Sequence, residues 1–388
     1  MDLTLTKGET EFQLEARAWL VANVPPCALP SGDTAEGFAL HREWERRLFD
    51  ARWSAVSWPE AYGGRGASLV EWLLFEEEYY RAKAPSRIAQ NGIFLLAPTL
   101  FEFGTDDQKR RFLRRMAAAD DVWAQGWSEP NAGSDLAALR SVAVRDSERN
   151  GWRLSGQKAW CTRGAFCDWL FGLFRTDASA EKHRGLTYFL VPLTAKGVTV
   201  RAVGRLDGDP GFADVFFDDV FVPDSDVLGD VNGGWGVAMS TASSERGLTL
   251  RSPGRFLASA ASLVELYKRE RNRAPASIRD EVVRAWIDAE AYNLYTQQTV
   301  AMLSAGGKIG AEASANKVFW SEMDVQLHET ALHLLGPRAE LAASGDGGAS
   351  DQDWMRGFQF ALAGPIYAGT NEIQKNVIAE RVLGLPRR

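Results

Sequence analysis

The chain has 388 residues, 45% of them hydrophobic and 24% charged, with a formal net charge of -7. That length holds two or three domains, or one large core with room to enclose a cofactor. The acidic balance argues against nonspecific nucleic-acid binding, no run of 18 or more apolar residues offers a membrane span, and "MDLTLTKGETEFQLEARAWL" lacks the parts of an export signal, so a cytoplasmic protein is expected. Cys27, Cys161 and Cys167 show no paired spacing, and His328 and His333 stand five apart rather than facing on a helix. Neither a disulfide framework nor a metal site is expected.

From residue 9 to about 120 apolar residues recur every three or four positions, in "ETEFQLEARAWLVANV", "LHREWERRLFDARW", "SLVEWLLFEEEYYRA" and "DQKRRFLRRMAAA", which predicts a helical domain over 1–120. Short β-branched and aromatic runs separated by turn residues come next: "VWAQGWS", "SVAVRD", "GWRLSGQKAW", "DWLFGLFRT", "LTYFLVPL", "GVTVRAV" and "ADVFFDDVFVP". Strands without intervening helices predict a mostly antiparallel sheet over 121–228. Long helical patterns return over 229–388, interrupted by a Gly/Ser/Asp loop at 342–351. The class is α+β.

Two β-region segments carry polar residues in suggestive places. In "AQGWSEPNAGSDLAALRS" (124–141), Gly133, Ser134 and Asp135 form a loop able to aim N–H groups at a phosphate, or else a polar turn capping the next element of the chain. In "LSGQKAWCTRGAFCDW" (154–169), period-two alternation puts Trp160 and Thr162 on one face of a strand, as the flank of a flat ring or as a half-buried cross-strand pair. No GxGxxG follows a strand, so a Rossmann site is not supported. The chain closes with "PIYAGTNEIQKNVIAERVLGLPRR" (365–388): Gly369 permits a turn, Asn371 can cap a helix, Gln374 stands at a capping-box position, and Ile373, Val377, Ile378, Val382 and Leu385 form an apolar stripe.

Together "WPEAYGGRGAS", "WAQGWSEPNAGSDLA", "GQKAWCTRGAFCDWLF", "FFDDVFVP" and "AGTNEIQKNVIAERVLGLPR" resemble the acyl-CoA dehydrogenase family, in its order and spacing and over nearly the whole chain. Several motifs are similar to actinobacterial members acting on steroid side chains or in secondary metabolism. The resemblance implies a helical N-terminal domain, a middle antiparallel β-barrel domain and a C-terminal four-helix bundle, with FAD as cofactor and electrons leaving to an electron-transfer flavoprotein. It assigns Trp127 and Ser128 to one side of the flavin ring, Trp160 and Thr162 to its other edge, Gly133 and Ser134 to the pyrophosphate, and Thr370 and Glu372 to the adenine half. The implied reaction desaturates the α,β bond of an acyl-CoA or acyl-carrier-protein thioester, a carboxylate taking the α-proton.

In many members that carboxylate directly precedes the Gly-Thr of the closing motif, where this chain has Ala368. Members similar to isovaleryl-type and long-chain enzymes place it before an arginine early in the C-terminal domain; "STASSERGLTL" matches, making Glu245 the expected base, Arg246 a substrate contact and the Ala368 N–H a donor to the thioester carbonyl. Homotetrameric members carry Arg-x-x-Phe-Gly and Gly-Gly-x-Gly segments that reach a neighbour's FAD. Here "KRERNRAPASIRDE" and "LLGPRAEL" stand instead, so a homo-oligomer (dimer or tetramer) whose Arg269, Arg271 or Arg273 substitutes and a heterotetramer with a second dehydrogenase-like chain both remain open. The rival readings are a flavin monooxygenase of the nitrososynthase type and a noncatalytic subunit completing a partner's FAD site.

Overall fold

The computed structural model describes residues 4–246, 252–340 and 352–386, apart from the side chains of residues 243–246, 352 and 353. The loop expected at 342–351 lies outside the described residues. Helices α1 (Lys7–Asn23), α2 (Ala35–Asp50), α3 (Leu69–Arg81), α4 (Ala97–Phe103) and α5 (Asp106–Ala117) come first. Strands β1 (Trp123–Gly126), β2 (Val142–Asp146), β3 (Gly151–Lys158), β4 (Trp169–Arg175), β5 (Leu186–Pro192), β6 (Val198–Val203), β7 (Phe212–Pro223) and β8 (Val227–Leu228) come next. The chain then forms α6 (Gly234–Arg246), α7 (Pro253–Glu270), α8 (Ile278–Ser304), α9 (Ala313–Leu335), α10 (Gln352–Ala361) and α11 (Asn371–Val377). None of the described helices is long and apolar enough to cross a membrane.

Local chemistry sets the helix starts. Thr6 with Glu9, Ser68 with Glu71, and Thr105 with Gln108 each form a reciprocal capping box that satisfies orphan N–H groups at α1, α3 and α5. Packing then gathers the chain into two compact units that ignore chain order: Met1–Ala28, Ala67–Pro85 and Arg246–Arg388 in one, Leu29–Gly66 and Ser86–Glu245 in the other.

The first unit is helical. Phe256, Leu263, Ala289, Tyr292, Leu327 and Ala331 anchor its core where α7, α8 and α9 meet. Gly254 allows α7 to lie against the α3 backbone, since a Cβ there would stand 2.8 Å from the Glu76 carbonyl oxygen. Glu78 on α3 is buried and accepts from Arg17 Nε and Nη2 on α1, 2.9 and 2.8 Å away, and from Gln13 Nε2 at 3.0 Å.

The second unit is built on a sheet of strand order β6-β7-β3-β2-β4-β5-β8. The sheet is mostly antiparallel as expected, with β1 and one residue pair of β2 parallel to β4, and the expected barrel is corrected in its closure: the sheet is open, with β6 and β8 at its edges and no pairing between them among the described residues. The parallel pairs come from an excursion of the chain. β1 pairs with β4 as far as Gly126↔Gly172, the chain leaves the sheet, and β2 rejoins the same side of β4 at Val142↔Arg175. Leu170, Phe171, Leu173 and Phe174 of β4 and Tyr188, Phe189 and Leu190 of β5 are all buried, the pattern of strands covered on both faces. Trp123 stacks on Trp169 and meets Phe112 edge-on, which ties α5 to the sheet.

Burial pushes the Glu78 carboxyl up, but hydrogen bonds and charge from Arg17 and Arg81 outweigh it and hold it below the usual range. A depressed carboxylate contributes stability above its unfolded pKa and loses it as pH falls through the folded value. Arg17→Gln is therefore expected to cost about 1–3 kcal/mol in denaturant unfolding at pH 7, a deficit that shrinks below about pH 4.

Candidate functional site

The excursion between β1 and β2 carries most of the residues singled out by the sequence. Trp127 and Ser128 lie just beyond the end of β1 rather than within it. The Trp127 ring is buried edge-on to Tyr188, 6.4 Å between centroids, and its Nε1 has no hydrogen-bond partner among the described residues. The loop folds back through the Glu129↔Ala132 bridge, and Gly133, Ser134 and Asp135 are exposed at its tip. Nothing stands within 4 Å of where a Gly133 Cβ would be.

Trp160 and Thr162 do not share a strand face as expected. β3 ends at Lys158, and Trp160 takes a left-handed backbone conformation with φ of 60°, which breaks the period-two alternation. Beyond it, Cys161 exchanges two 2.9 Å backbone hydrogen bonds with Ala213, and Thr162 enters a turn. The Trp160 ring is consequently 61% exposed, edge-on to Phe212. Ala159 N–H donates to Ser128 O at 2.8 Å, so Trp127 and Ser128 stand beside the segment bearing Trp160.

Sequence reasoning missed what holds this junction. Lys158 Nζ, fully buried, donates to Glu129 Oε1 at 2.7 Å, and the Glu129 carboxylate also accepts from Arg140 N at 2.6 Å and Ser141 N at 2.9 Å. Burial pushes the Lys158 ammonium down while Glu129 opposes it; the same burial pushes Glu129 up, but Lys158 and the N–H donors outweigh it and hold the carboxyl below its usual range. A signal was available: Lys158 falls on the same strand parity as the buried Trp152 and Leu154, so alternation points its ammonium inward. Burial pushes the Cys161 thiol up to about 12 and the Cys167 thiol up as well, so neither is a ready nucleophile.

Helix α6 carries Glu245 and Arg246 in its last turn, but the side chains of both lie outside the described residues. The helix itself is well anchored. A Cβ on Gly234 would stand 2.7 Å from the backbone of Thr187 on β5, and the buried Thr241 hydroxyl lies 2.8 Å from that of Thr99 and 3.3 Å from Tyr188 Oη.

The closing turn and helix belong to the helical unit. Ala368 and Gly369 both take left-handed conformations, φ 57° and 79°, and the side chain of Gln374, fully buried, donates from Nε2 to both their carbonyl oxygens, at 3.0 and 3.2 Å. The helix cap is Thr370, accepting from Ile373 N at 3.2 Å, not Asn371. Asn371 is instead buried, its Oδ1 accepting from Lys317 Nζ and Ser321 Oγ at 2.8 and 3.1 Å. The inward face is therefore polar, and the expected stripe stays half-buried at Ile373, Val377 and Ile378 and exposed at Val382 and Leu385. Exposed Glu372 is held below the usual carboxylate range by its own backbone N–H and by Thr370. The two segments that depart from the family pattern are joined: Glu270 accepts from Arg269 at 3.2 Å and from Arg338 at 2.6 Å.

The N-terminal, middle and C-terminal domain profiles of the acyl-CoA dehydrogenases match residues 6–120, 124–220 and 232–383. The acyl-CoA dehydrogenase IpdE1 of Mycolicibacterium smegmatis is 38% identical over 97% of this chain and 98% of its own. Among solved structures, the Tcur3481-Tcur3483 steroid ACAD superposes with a TM-score of 0.89 at 27% identity, covering 100% of both chains. The ChsE4-ChsE5 complex from Mycobacterium tuberculosis does so at 0.84 and 30%, again over 100% of both. The chain belongs to the acyl-CoA dehydrogenase family and is a flavin-dependent oxidoreductase. A flavin fits the residues present: an exposed Trp160 ring, a buried Trp127 indole N–H lacking a partner among the described residues, and an open glycine-serine loop on the same excursion.

A non-glycine residue at φ 57° carries strain of order 1 kcal/mol, which a glycine does not feel. Ala368→Gly is expected to raise the unfolding midpoint by no more than about one degree, measured by calorimetry with and without flavin, because the chain is long and glycine adds unfolded-state entropy.

Proposed function

We propose that the chain is an FAD-dependent dehydrogenase that removes hydrogen from the α and β carbons of an acyl thioester and leaves the trans-2-enoyl product, with Glu245 as base. The observation that carries this reading is the Ser128–Ala159 junction, which sets Trp127 and Ser128 against the segment bearing Trp160. Trp127, Ser128, Trp160 and Thr162 hold the flavin ring, Gly133 and Ser134 the pyrophosphate, and Thr370 and Glu372 the adenine half. When bound, the flavin supplies the acceptor for the β-hydrogen. These assignments go with a division of the chain into three domains, 1–120, 121–228 and 229–388.

Chemistry requires one carboxylate near the α-carbon, in surroundings apolar enough to bring its pKa toward that of the thioester. With alanine at 368 the closing turn offers none, and α6 carries Glu245 in its last turn. The Ala368 N–H donates to the thioester carbonyl, lowering the α-carbon pKa, and Arg246 meets a substrate phosphate. Similarity to a steroid ACAD supports a bulky alicyclic acyl group on CoA, with an acyl-carrier-protein thioester as the alternative carrier and an electron-transfer flavoprotein as oxidant. The monooxygenase reading has no use for a base at 245.

Val283, Trp286, Ile287, Leu294 and Tyr295 form an exposed apolar face along α8, the kind of surface that an assembled protein covers. Glu270 engages Arg269 and, at 4.0 Å, Arg273, two of the three arginines that could clamp a copy's FAD, which favours a second, dehydrogenase-like chain as partner. The relatives solved as the Tcur3481-Tcur3483 and ChsE4-ChsE5 pairs support this. A cytoplasmic location belongs to the same proposal.

Glu245→Gln is expected to lower the rate of flavin bleaching by an acyl-CoA panel, measured anaerobically, by roughly 10²–10⁴ while bound flavin is retained. Unchanged bleaching would remove Glu245 from the role. Trp286→Asp with Leu294→Asp is expected to shift the sedimenting species to lower mass without loss of helical signal; an unshifted mass would mean that α8 is not the interface.

A further inference from the structure

The two segments assigned to the flavin ring are not neighbours in the sheet. β1 pairs with β4, whereas β3 pairs with β2 and β7, so no ladder sets the spacing between Trp127–Ser128 and Trp160. Two contacts set it instead, on adjacent residues. Ser128 O receives the Ala159 N–H, and the next residue after Ser128, Glu129, receives the ammonium of the residue before Ala159, Lys158. The Glu129 carboxylate also gathers the Arg140 and Ser141 N–H groups, while Ser141 O accepts from Arg175 N on β4 at 2.8 Å. That closes the base of the loop whose tip is Gly133–Ser134. One carboxylate thus joins the end of β3 to the segment after Ser128 and to the base of the anion-facing loop.

Core stability alone does not call for such a pair. Burying two charges costs several kcal/mol per ion before their attraction repays it, and well-packed hydrophobic residues are often as good or better. Lys158 sits among apolar groups, its ammonium 4.7 Å from the Phe174 ring centroid and on the face of Leu154, where a core residue would fit. What an apolar pair lacks is the directional bonding that holds backbone N–H groups and a strand end in one geometry.

We infer that the buried Glu129–Lys158 pair is a positioning device for the flavin, setting the separation of Ser128 and Trp160 and the aim of the Gly133–Ser134 loop. The inference rests on the flavoenzyme reading above. Glu129 and Lys158 are positioning residues, acting through the groups they hold.

The test uses the purified holoprotein, with its partner chain if one is needed for assembly. Glu129→Asp keeps the charge but withdraws the carboxylate by one methylene, and the double variant Glu129→Gln/Lys158→Met removes both charges together, so neither leaves an unpaired buried ion. For each, the flavin dissociation constant, the visible absorption shape of bound flavin and the apoprotein unfolding midpoint are measured. The expected result is a dissociation constant raised by about tenfold or more, with altered vibronic structure in the flavin band, at an apoprotein midpoint near that of the wild type. Lys158→Arg, which retains the charge and the donor, is expected to lose less affinity than the double variant. If both variants bind flavin within about twofold of the wild type and with its absorption shape, the pair is only a core fixture and the inference is overturned, the flavoenzyme reading surviving. A wild-type protein that takes up no flavin, alone or with a partner, would remove both.

Discussion

A carboxylate buried at the mouth of a chain excursion organises the sheet-based unit. Between Gly126 and Val142 the backbone leaves one side of β4 and returns to the same side three residues further along it. An excursion of that length would ordinarily be free to adopt many conformations, each residue fixed costing about 1–2 kcal/mol in entropy. Glu129 removes that freedom from the inside. Its two oxygens take a lysine ammonium and two backbone N–H groups, satisfying donors that the sheet does not reach. The loop is therefore part of the core at its base and open only at its tip, a suitable build for a segment that must meet a large ligand without losing register.

The closing turn obeys the same logic with neutral groups. Two successive left-handed residues point their carbonyls at one side-chain amide, Gln374, and the helix behind them is held by Asn371, not by its apolar stripe. Polar docking is directional, so it specifies the turn more tightly than hydrophobic contact would. Ala368 sits in a backbone shape that suits glycine better, and strain of this sort persists where surrounding bonds over-determine a conformation. The apolar residues left outside on this helix and along α8 are then available for assembly instead of for the core of this chain.

Much was legible in the residues alone because it is local. The seven expected β runs all became strands, and the expected helices of the first 120 residues formed, since period and capping depend on near neighbours. The five motifs identified the family because a ligand site demands particular residues at particular places, whatever lies between them. What tertiary structure decided was non-local. Whether the sheet is closed or mixed depends on which strands meet, and β1 joined β4 in parallel only because the chain left and re-entered on one side. The alternation that predicted a shared face for Trp160 and Thr162 failed at left-handed Trp160, next to Cys161, which pairs with Ala213 some fifty positions away. Likewise Asn371 and Gln374 read as capping residues until their partners, Lys317 and the Ala368 and Gly369 carbonyls, turned them inward. Sequence by itself determined the elements and the chemistry they carry, through periodicity and residue type; the pairing of a buried lysine with a buried glutamate, and hence the geometry of the site, required the fold, because alternation can turn Lys158 inward but a linear pattern does not name the carboxylate it meets there.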